Sequence, residues 1–425
     1  LKRWILSLGV FLLILSAVAV SASGHGVHSV IQKPVRHHQH IQLGIDTLLS
    51  EKKDLLKGKR VGLITNPTGV NQRLTSDIDL LFHDPDIKLV ALYGPEHGVR
   101  GSAQAGEKVD KYIDEETGLP VYSLYGDTKK PTPDMLKNVD VLVFDIQDVG
   151  TRYYTYISTM AYAMQAAHEN HIPFIVLDRP DPIGGTHVEG PVLDPKYASF
   201  VGLYPIPIRH GMTVGELAGY LNNEYHIHAD LTVVKMKGWK RGMSYSDTHL
   251  PCWVMPSPNM PTEDTALVYP GTGLIEGTNI SEGRGTTRPF ELLGAPFING
   301  WKLAQKLNAL HLPGVIFRDA SFTPTFSKYS GQLVHGVQVH VIDKQSYEPV
   351  ITGLSIIKTI HDMYPDKFQF SPEDKNGISP FDQMVGNGWI RKDINAGVSV
   401  KTMEKKWQPE LKQFEKKRKK YLLYK

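Results

Sequence analysis

The feature that most constrains the fold is a rhythm of short apolar runs, each closed by a polar turn and followed by a segment with helical spacing. Runs at residues 60–65, 88–93, 139–144, 174–177 and 231–236 read as buried strands, and 121–125 as a further short one. Between them, residues 77–82 and 214–225 read as helices. So does the segment carrying Ile157, Met160, Ala161, Met164 and His168 on one face. Strand, helix, strand in this order requires crossover connections and a parallel sheet. A doubly wound, Rossmann-like α/β domain over residues 41–250 is the expectation.

The ends of these strands repeat a second pattern. Asn66, Glu96 with His97, Asp145 with Gln147, and Asp178 with Arg179 each follow an apolar run, and Arg152 and Tyr153 come soon after Gln147. In an open parallel sheet these positions share one rim, where ligands bind. Singly, each is an ordinary turn or cap residue; together they describe a polar crevice. Glu96 is its centre, because Gly94-Pro95 breaks the strand and delivers a carboxylate and an imidazole just beyond it. The first strand runs into Asn66-Pro67-Thr68-Gly69-Val70, without the glycine spacing of a dinucleotide cradle, so NAD and FAD are disfavoured and no cofactor is expected. His226, His228, His335 and His340 lack zinc-site spacing, so no metal is expected, and no Gly-x-Ser-x-Gly elbow marks a serine hydrolase.

Residues 251–264 hold Pro251, Pro256, Pro258 and Pro261 and read as an extended crossing between domains. Beyond it, residues 269–290 combine glycines with Glu276, Asn279, Glu282, Arg284 and Arg288. That composition suits either a loop whose backbone approaches a ligand or a flexible surface loop. A helix at 301–310, strands at 314–318 and 334–342, and a helix near 353–363 make residues 265–425 a smaller α/β domain. At the end, Trp407, Leu411, Phe414 and Leu422 mark an amphipathic helix docked on its own domain, with the run Lys416-Lys417-Arg418-Lys419-Lys420 on its solvated face. Weak attraction to an anionic cell surface is the functional reading of that basic face.

Lys2-Arg3 followed by the apolar run 4–20 and small residues to Ala22 reads as a signal peptide over residues 1–22, with an uncleaved anchor as the alternative. A histidine-rich linker fills 23–40. The expectation is an exported protein, secreted or associated with the cell wall. One cysteine, Cys252, allows no intrachain disulfide, and a net charge of +3 in 425 residues does not suggest a nucleic-acid partner.

Carboxylates with tyrosine and arginine neighbours suit hydrolysis of a sugar linkage, where one acid protonates the leaving oxygen and another stabilises or attacks the anomeric carbon. Tyr93, Tyr153, Tyr154 and Tyr156 crowd the rim. The segments Gly94-Pro95-Glu96-His97-Gly98, Phe144 to Arg152, Leu177-Asp178-Arg179-Pro180, Glu276-Gly277-Thr278-Asn279 and Ser281 to Thr286 resemble the exo-β-N-acetylmuramidase family. The similarity runs from about residue 41 to the C-terminus and places the chain close to the secreted Bacillus member. The resemblance implies a Rossmann-like domain plus a C-terminal domain with the site between them. It also implies release of N-acetylmuramic acid from non-reducing ends of peptidoglycan fragments, alongside an N-acetylglucosaminidase and an amidase. Glu96 is then the general acid. Glu282, Glu276 or Asp145 is its partner, unless the substrate's own acetamido group takes that role. Arg152 and Arg284 are candidates for the lactyl carboxylate, with His97, Asn66, Gln147, Tyr153, Asp178, Arg179 and Asn279 as further binding residues. A rival class is a non-catalytic receptor whose two domains close on a glycan; an esterase or phosphoesterase lacks its nucleophile or metal cluster.

Overall fold

The computed structural model describes residues 41–101 and 111–425, so the segment read as a signal peptide and the histidine-rich stretch lie outside the described residues. Strands β1 (Arg60–Thr65), β2 (Lys88–Gly94), β3 (Tyr112–Ile113), β4 (Pro120–Ser123), β5 (Val141–Asp145) and β6 (Phe174–Leu177) come first. The ribbon β7 (Glu189–Val192) and β8 (Pro207–Arg209) follows, and then β9 (Leu231–Val234). Seven of them form one sheet in the order β3-β4-β2-β1-β5-β6-β9, parallel except for β3 at the edge. The chain winds outward from β1 in both directions, which makes the space above β1 and β5 the topological switch point.

Alternation of side chains along these strands builds two cores. Val61, Leu63, Val143, Ile175 and Leu177 face α1 (Gly44–Glu51) and α2 (Asp77–Phe82), meeting Ile45, Leu48, Ile78 and Leu81. Ile64, Leu142, Phe144, Phe174 and Val176 face the other way, with Leu136 of α3 (Pro133–Leu136). There they meet Ile157 and Met160 of α4 (Tyr156–Glu169) and Leu217 and Leu221 of α5 (Val214–Glu224). This is the expected doubly wound domain, and β1, α2 and β6 fall where apolar spacing puts them.

The second lobe contains α6 (Glu263–Thr272), β10 (Leu292–Ala295), α7 (Gly300–Asn308), β11 (Val315–Phe322), β12 (Val334–Val341) and α8 (Pro349–Met363). It ends with α9 (Pro380–Val385), α10 (Trp389–Asn395) and α11 (Val400–Arg418). Its antiparallel sheet has the order β10-β12-β11. The glycine-rich stretch after Tyr269 begins as helix, continuing α6 through Pro270 to Thr272 and then a 3₁₀ turn over Gly273–Gly277. A Cβ on Gly271 would lie 1.8 Å from the Pro349 carbonyl oxygen, and one on Gly353 would lie 2.2 Å from the Gly271 oxygen. Gly271 and Gly353 thus let α6 and α8 touch backbone to backbone, and the approach served at Gly271 is helix to helix, not backbone to ligand.

The lobes share their interior. The core beneath α4 runs on through Tyr269, Phe290 and Val350 to Trp407 and Phe414. The β7–β8 ribbon, although early in sequence, packs on α8 and α11. Among the described residues no helix is long and apolar enough to cross a membrane.

Candidate active site

Glu96 sits in a tight turn two residues past β2. The Gly98 amide donates to the Pro95 carbonyl at 3.0 Å, and His97 and Gly98 both take positive φ, 75° and 74°. That double reversal folds the chain back over Gly94, where a Cβ would come within 3.0 Å of Gly98 Cα, and leaves Glu96 half-exposed. For His97, a buried non-glycine residue, the left-handed backbone is strained.

Two hydroxyls hold the carboxylate. Thr155 Oγ1 donates to Glu96 Oε2 at 3.2 Å. Thr155 occupies the N-cap position of α4 without using its side chain to cap, which frees the hydroxyl. Tyr125 also hydrogen-bonds to Glu96. Its own pKa is pushed up to about 12, by burial first and by the Glu96 charge and that hydrogen bond next, while Arg284 pulls it down. Tyr125 is placed by a ladder extension in which the Leu124 amide donates to the Gly94 carbonyl at 2.8 Å. Glu96 after β2 therefore reaches Thr155 after β5 across the end of β1, over the switch point. Neither Thr155 nor Tyr125 is evident from residue type, although both follow strands that end on the same rim. Tyr125→Phe and Thr155→Val are each expected to lower kcat about 10-fold with the fold intact, the loss of one hydrogen bond to a charged group. Steady-state kinetics with a melting curve for each variant checks this.

The second lobe contributes its own charge cluster. Arg284 Nη2 donates to Glu276 Oε1 at 2.8 Å, and its Nε lies 3.5 Å from Glu282 Oε1. Lys328 Nζ stands 2.9 Å from Glu282 Oε2 and donates to the carbonyls of Ile275, Glu276 and Ile280. Glu276 is half-exposed and Glu282 is buried. Burial raises the Glu276 pKa, Arg284 opposes it and Glu282 adds to the rise.

Tyr269 joins the halves. Its ring packs edge-on against Tyr153, Tyr154 and Phe290, and the Arg284 guanidinium lies 5.1 Å over Phe290. Burial, then Glu276, with smaller contributions from Glu96 and Glu282, raises the Tyr269 pKa, so carboxylates of both lobes act on one phenol. Glu96, Tyr125, Glu276 and Arg284 form the solvent-reaching surface, with Tyr156, Tyr269 and Glu282 beneath.

Other residues expected at the site are engaged inside the protein. Asp145 is fully buried with its Oδ1 on Arg179 Nε at 2.5 Å, and Arg179 Nη2 donates to the Val70 carbonyl, so neither side chain reaches the Glu96 surface. Arg152 is fully buried too; its guanidinium donates to the carbonyls of Pro191, Ile206 and Met384, which corrects its assignment to a substrate carboxylate. Asp178 accepts from Thr213, the Gly215 amide and Tyr424. Gln147 donates to the carbonyls of Asp148 and Pro180, and Asn279 is tied to Lys367 and Gln369. Asn66 accepts from Thr68 and donates to the Pro256 carbonyl, fixing the proline-rich crossing beside Tyr156, whose hydroxyl donates to the same oxygen. Tyr153 donates to the Tyr269 carbonyl. These residues shape the rim from below.

Burial holds the carboxyls of Asp178 and Asp181 well above the usual range, each at about 7. Both are protonated in the folded chain at pH 5 and ionised in the unfolded one, so folding takes up protons there. Their contribution is full below the unfolded pKa near 4 and is lost as pH rises through 7. The melting temperature is expected to fall by about 5 °C or more between pH 5 and 8. Asp181→Asn should flatten that dependence, and calorimetry across pH reads it.

A two-lobed α/β protein whose lobes each bring carboxylates to one tyrosine-backed surface has the parts of a glycoside hydrolase. Two models of the family described as exo-β-N-acetylmuramidase NamZ match in tandem, the N-terminal model over residues 61–264 and the C-terminal one over 267–424. The chain is 64% identical over 406 residues to peptidoglycan β-N-acetylmuramidase NamZ of Bacillus subtilis (strain 168), a match covering 96% of this chain and 95% of that protein. A crystal structure of a DUF1343 family protein from Bacteroides fragilis NCTC 9343 is similar at TM-score 0.83 and 44% identity, covering 91% of this chain and 99% of that one. A second from the same organism has TM-score 0.72 and 32% identity with the same coverage. The chain belongs to the exo-β-N-acetylmuramidase family, a family of glycosidases.

Proposed function

We propose that the chain works outside the cytoplasm, at the cell wall, removing N-acetylmuramic acid from the non-reducing end of β-1,4-linked peptidoglycan fragments with Glu96 as general acid. The observation that carries this reading is the meeting of Glu96 with the Glu276–Arg284–Glu282 cluster around Tyr269. Glu96, half-exposed and oriented by Thr155 and Tyr125, protonates the oxygen of the leaving sugar. Glu276 and Glu282 supply negative charge for the oxocarbenium-like transition state, and Glu276, the more exposed of the two, stands nearer the sugar. Arg284 spends Nη2 on Glu276, and its remaining donors suit the lactyl carboxylate that distinguishes muramic acid from glucosamine.

Export is supported by Lys2-Arg3 and the apolar run behind them. An exo-acting enzyme of this kind needs a preceding glucosaminidase step to expose each muramic acid, and an amidase step to clear the peptide. The core shared by both lobes argues against a receptor, which would need the lobes to part about a hinge. Two disaccharides of opposite sequence test the assignment. Free N-acetylmuramic acid should appear from the one with muramic acid at the non-reducing end, and nothing from the one with N-acetylglucosamine there. Cleavage of both, or of the second alone, would overturn it.

A further inference from the structure

The C-terminal helix carries more positive charge than the whole chain. Residues 400–425 hold ten Lys and Arg against three Glu, net +7 in a chain of net +3, so the remainder carries −4. On α11 the charge is sorted. Met403, Trp407, Leu411, Phe414 and Arg418 are buried along one stripe. Lys401, Lys405, Lys412 and Lys416, with Lys419 at the C-cap, fall within a narrow arc on the opposite side, all exposed. None of these five forms an ion pair among the described residues. Lys406 and Lys417, off the stripe, pair with Asp393 and Glu224.

Folding does not account for the stripe. Like charges at (i, i+4), as in Lys401 with Lys405 and Lys412 with Lys416, oppose helix formation. The helix dipole favours cations only in the last turn, so it leaves Lys401 and Lys405 unexplained. All the large apolar side chains of α11 face inward, leaving none to enter a lipid surface. The stripe has lysines and no arginine, so it presents a row of compact point charges about 27 Å long, the form in which Lys binds phosphate, without the fork by which Arg grips one carboxylate or phosphate bidentately.

We propose that this stripe is a docking surface for a linear phosphodiester polymer, one that tethers the enzyme electrostatically to an anionic matrix while the site between the lobes remains free. The inference does not depend on the glycosidase reading.

The test is binding of the full chain to poly(glycerol phosphate) at 50 and 300 mM NaCl. The parent is compared with a stripe variant (Lys401, Lys405, Lys412, Lys416 and Lys419→Gln) and an equal-charge control (Lys52, Lys57, Lys302, Lys306 and Lys375→Gln). The parent should bind at low salt and weaken at least about 10-fold at high salt. The stripe variant should bind at least about 10-fold more weakly than the parent, the control within about 2-fold, and both should keep the parent's rate on a soluble disaccharide. Equal binding by parent and stripe variant would overturn the proposal. So would an equal loss in the control, or tighter binding of the parent to phosphatidylglycerol vesicles than to the polymer. Failure of the disaccharide assay in the parent would instead strike the glycosidase reading and leave this one standing.

Discussion

Replacing Glu96 with Gln is expected to lower kcat by about 10³-fold while leaving affinity for a muramyl disaccharide within a few fold. The substitution keeps the size of the side chain and an oxygen that accepts from Thr155, so the turn closed between Pro95 and Gly98 is undisturbed. What it removes is the proton donor. An amide cannot protonate a departing alkoxide, and the deficit falls on the chemical step. A receptor would behave oppositely, losing affinity with no turnover to lose. Single-turnover release of N-acetylmuramic acid, set beside calorimetric titration of the variant, separates the two.

The second large effect is on stability. Arg179→Met should cost about 3–5 kcal/mol and lower the melting temperature by roughly 5 °C. Asp145 and Asp77 are both fully buried at the ends of β5 and the start of α2, and Arg179 is the cation between them. Burial, and then the Asp145 charge, raises the Asp77 pKa well above its ordinary value; burial raises that of Asp145 too, and the Arg179 guanidinium opposes the rise in both. Removing Arg179 leaves Asp145 buried without the cation that holds its carboxylate. Adding Asp145→Asn to Arg179→Met should recover at least half of the loss, whereas independent structural roles would make the two losses add. Denaturant midpoints for the single and double variants decide between these.

The sheet was legible because its strands are buried on both faces and read as unbroken apolar runs such as Val141–Asp145 and Phe174–Leu177. The ribbon β7–β8 was not, since Glu189–Val192 and Pro207–Arg209 are short and carry no alternation. At the site, position along a strand was readable and depth was not. Glu96, Asp145 and Asp178 all follow apolar runs. One ends half-exposed over the switch point, while the others end at full burial, locked by Arg179 or by Thr213 and Tyr424. Partners distant in sequence decide that difference. Gly271 and Gly353 illustrate the same limit, because a glycine needed for helix contact and one needed for a ligand look alike until the neighbouring backbone is in place. Glu276, Glu282 and Arg284 lie close enough in sequence to be read as one charged group, yet Lys328, which anchors Glu282 from beyond β11, gave no signal of its own.

The most direct measurement is a crystal structure of the Glu96→Gln protein with an intact muramyl disaccharide. The glycosidic oxygen is expected within hydrogen-bond distance of the residue 96 amide, with the muramic acid at the non-reducing side and its lactyl carboxylate against Arg284. A disaccharide held by one lobe alone, with its glycosidic bond remote from residue 96, would contradict the assignment of Glu96 as general acid.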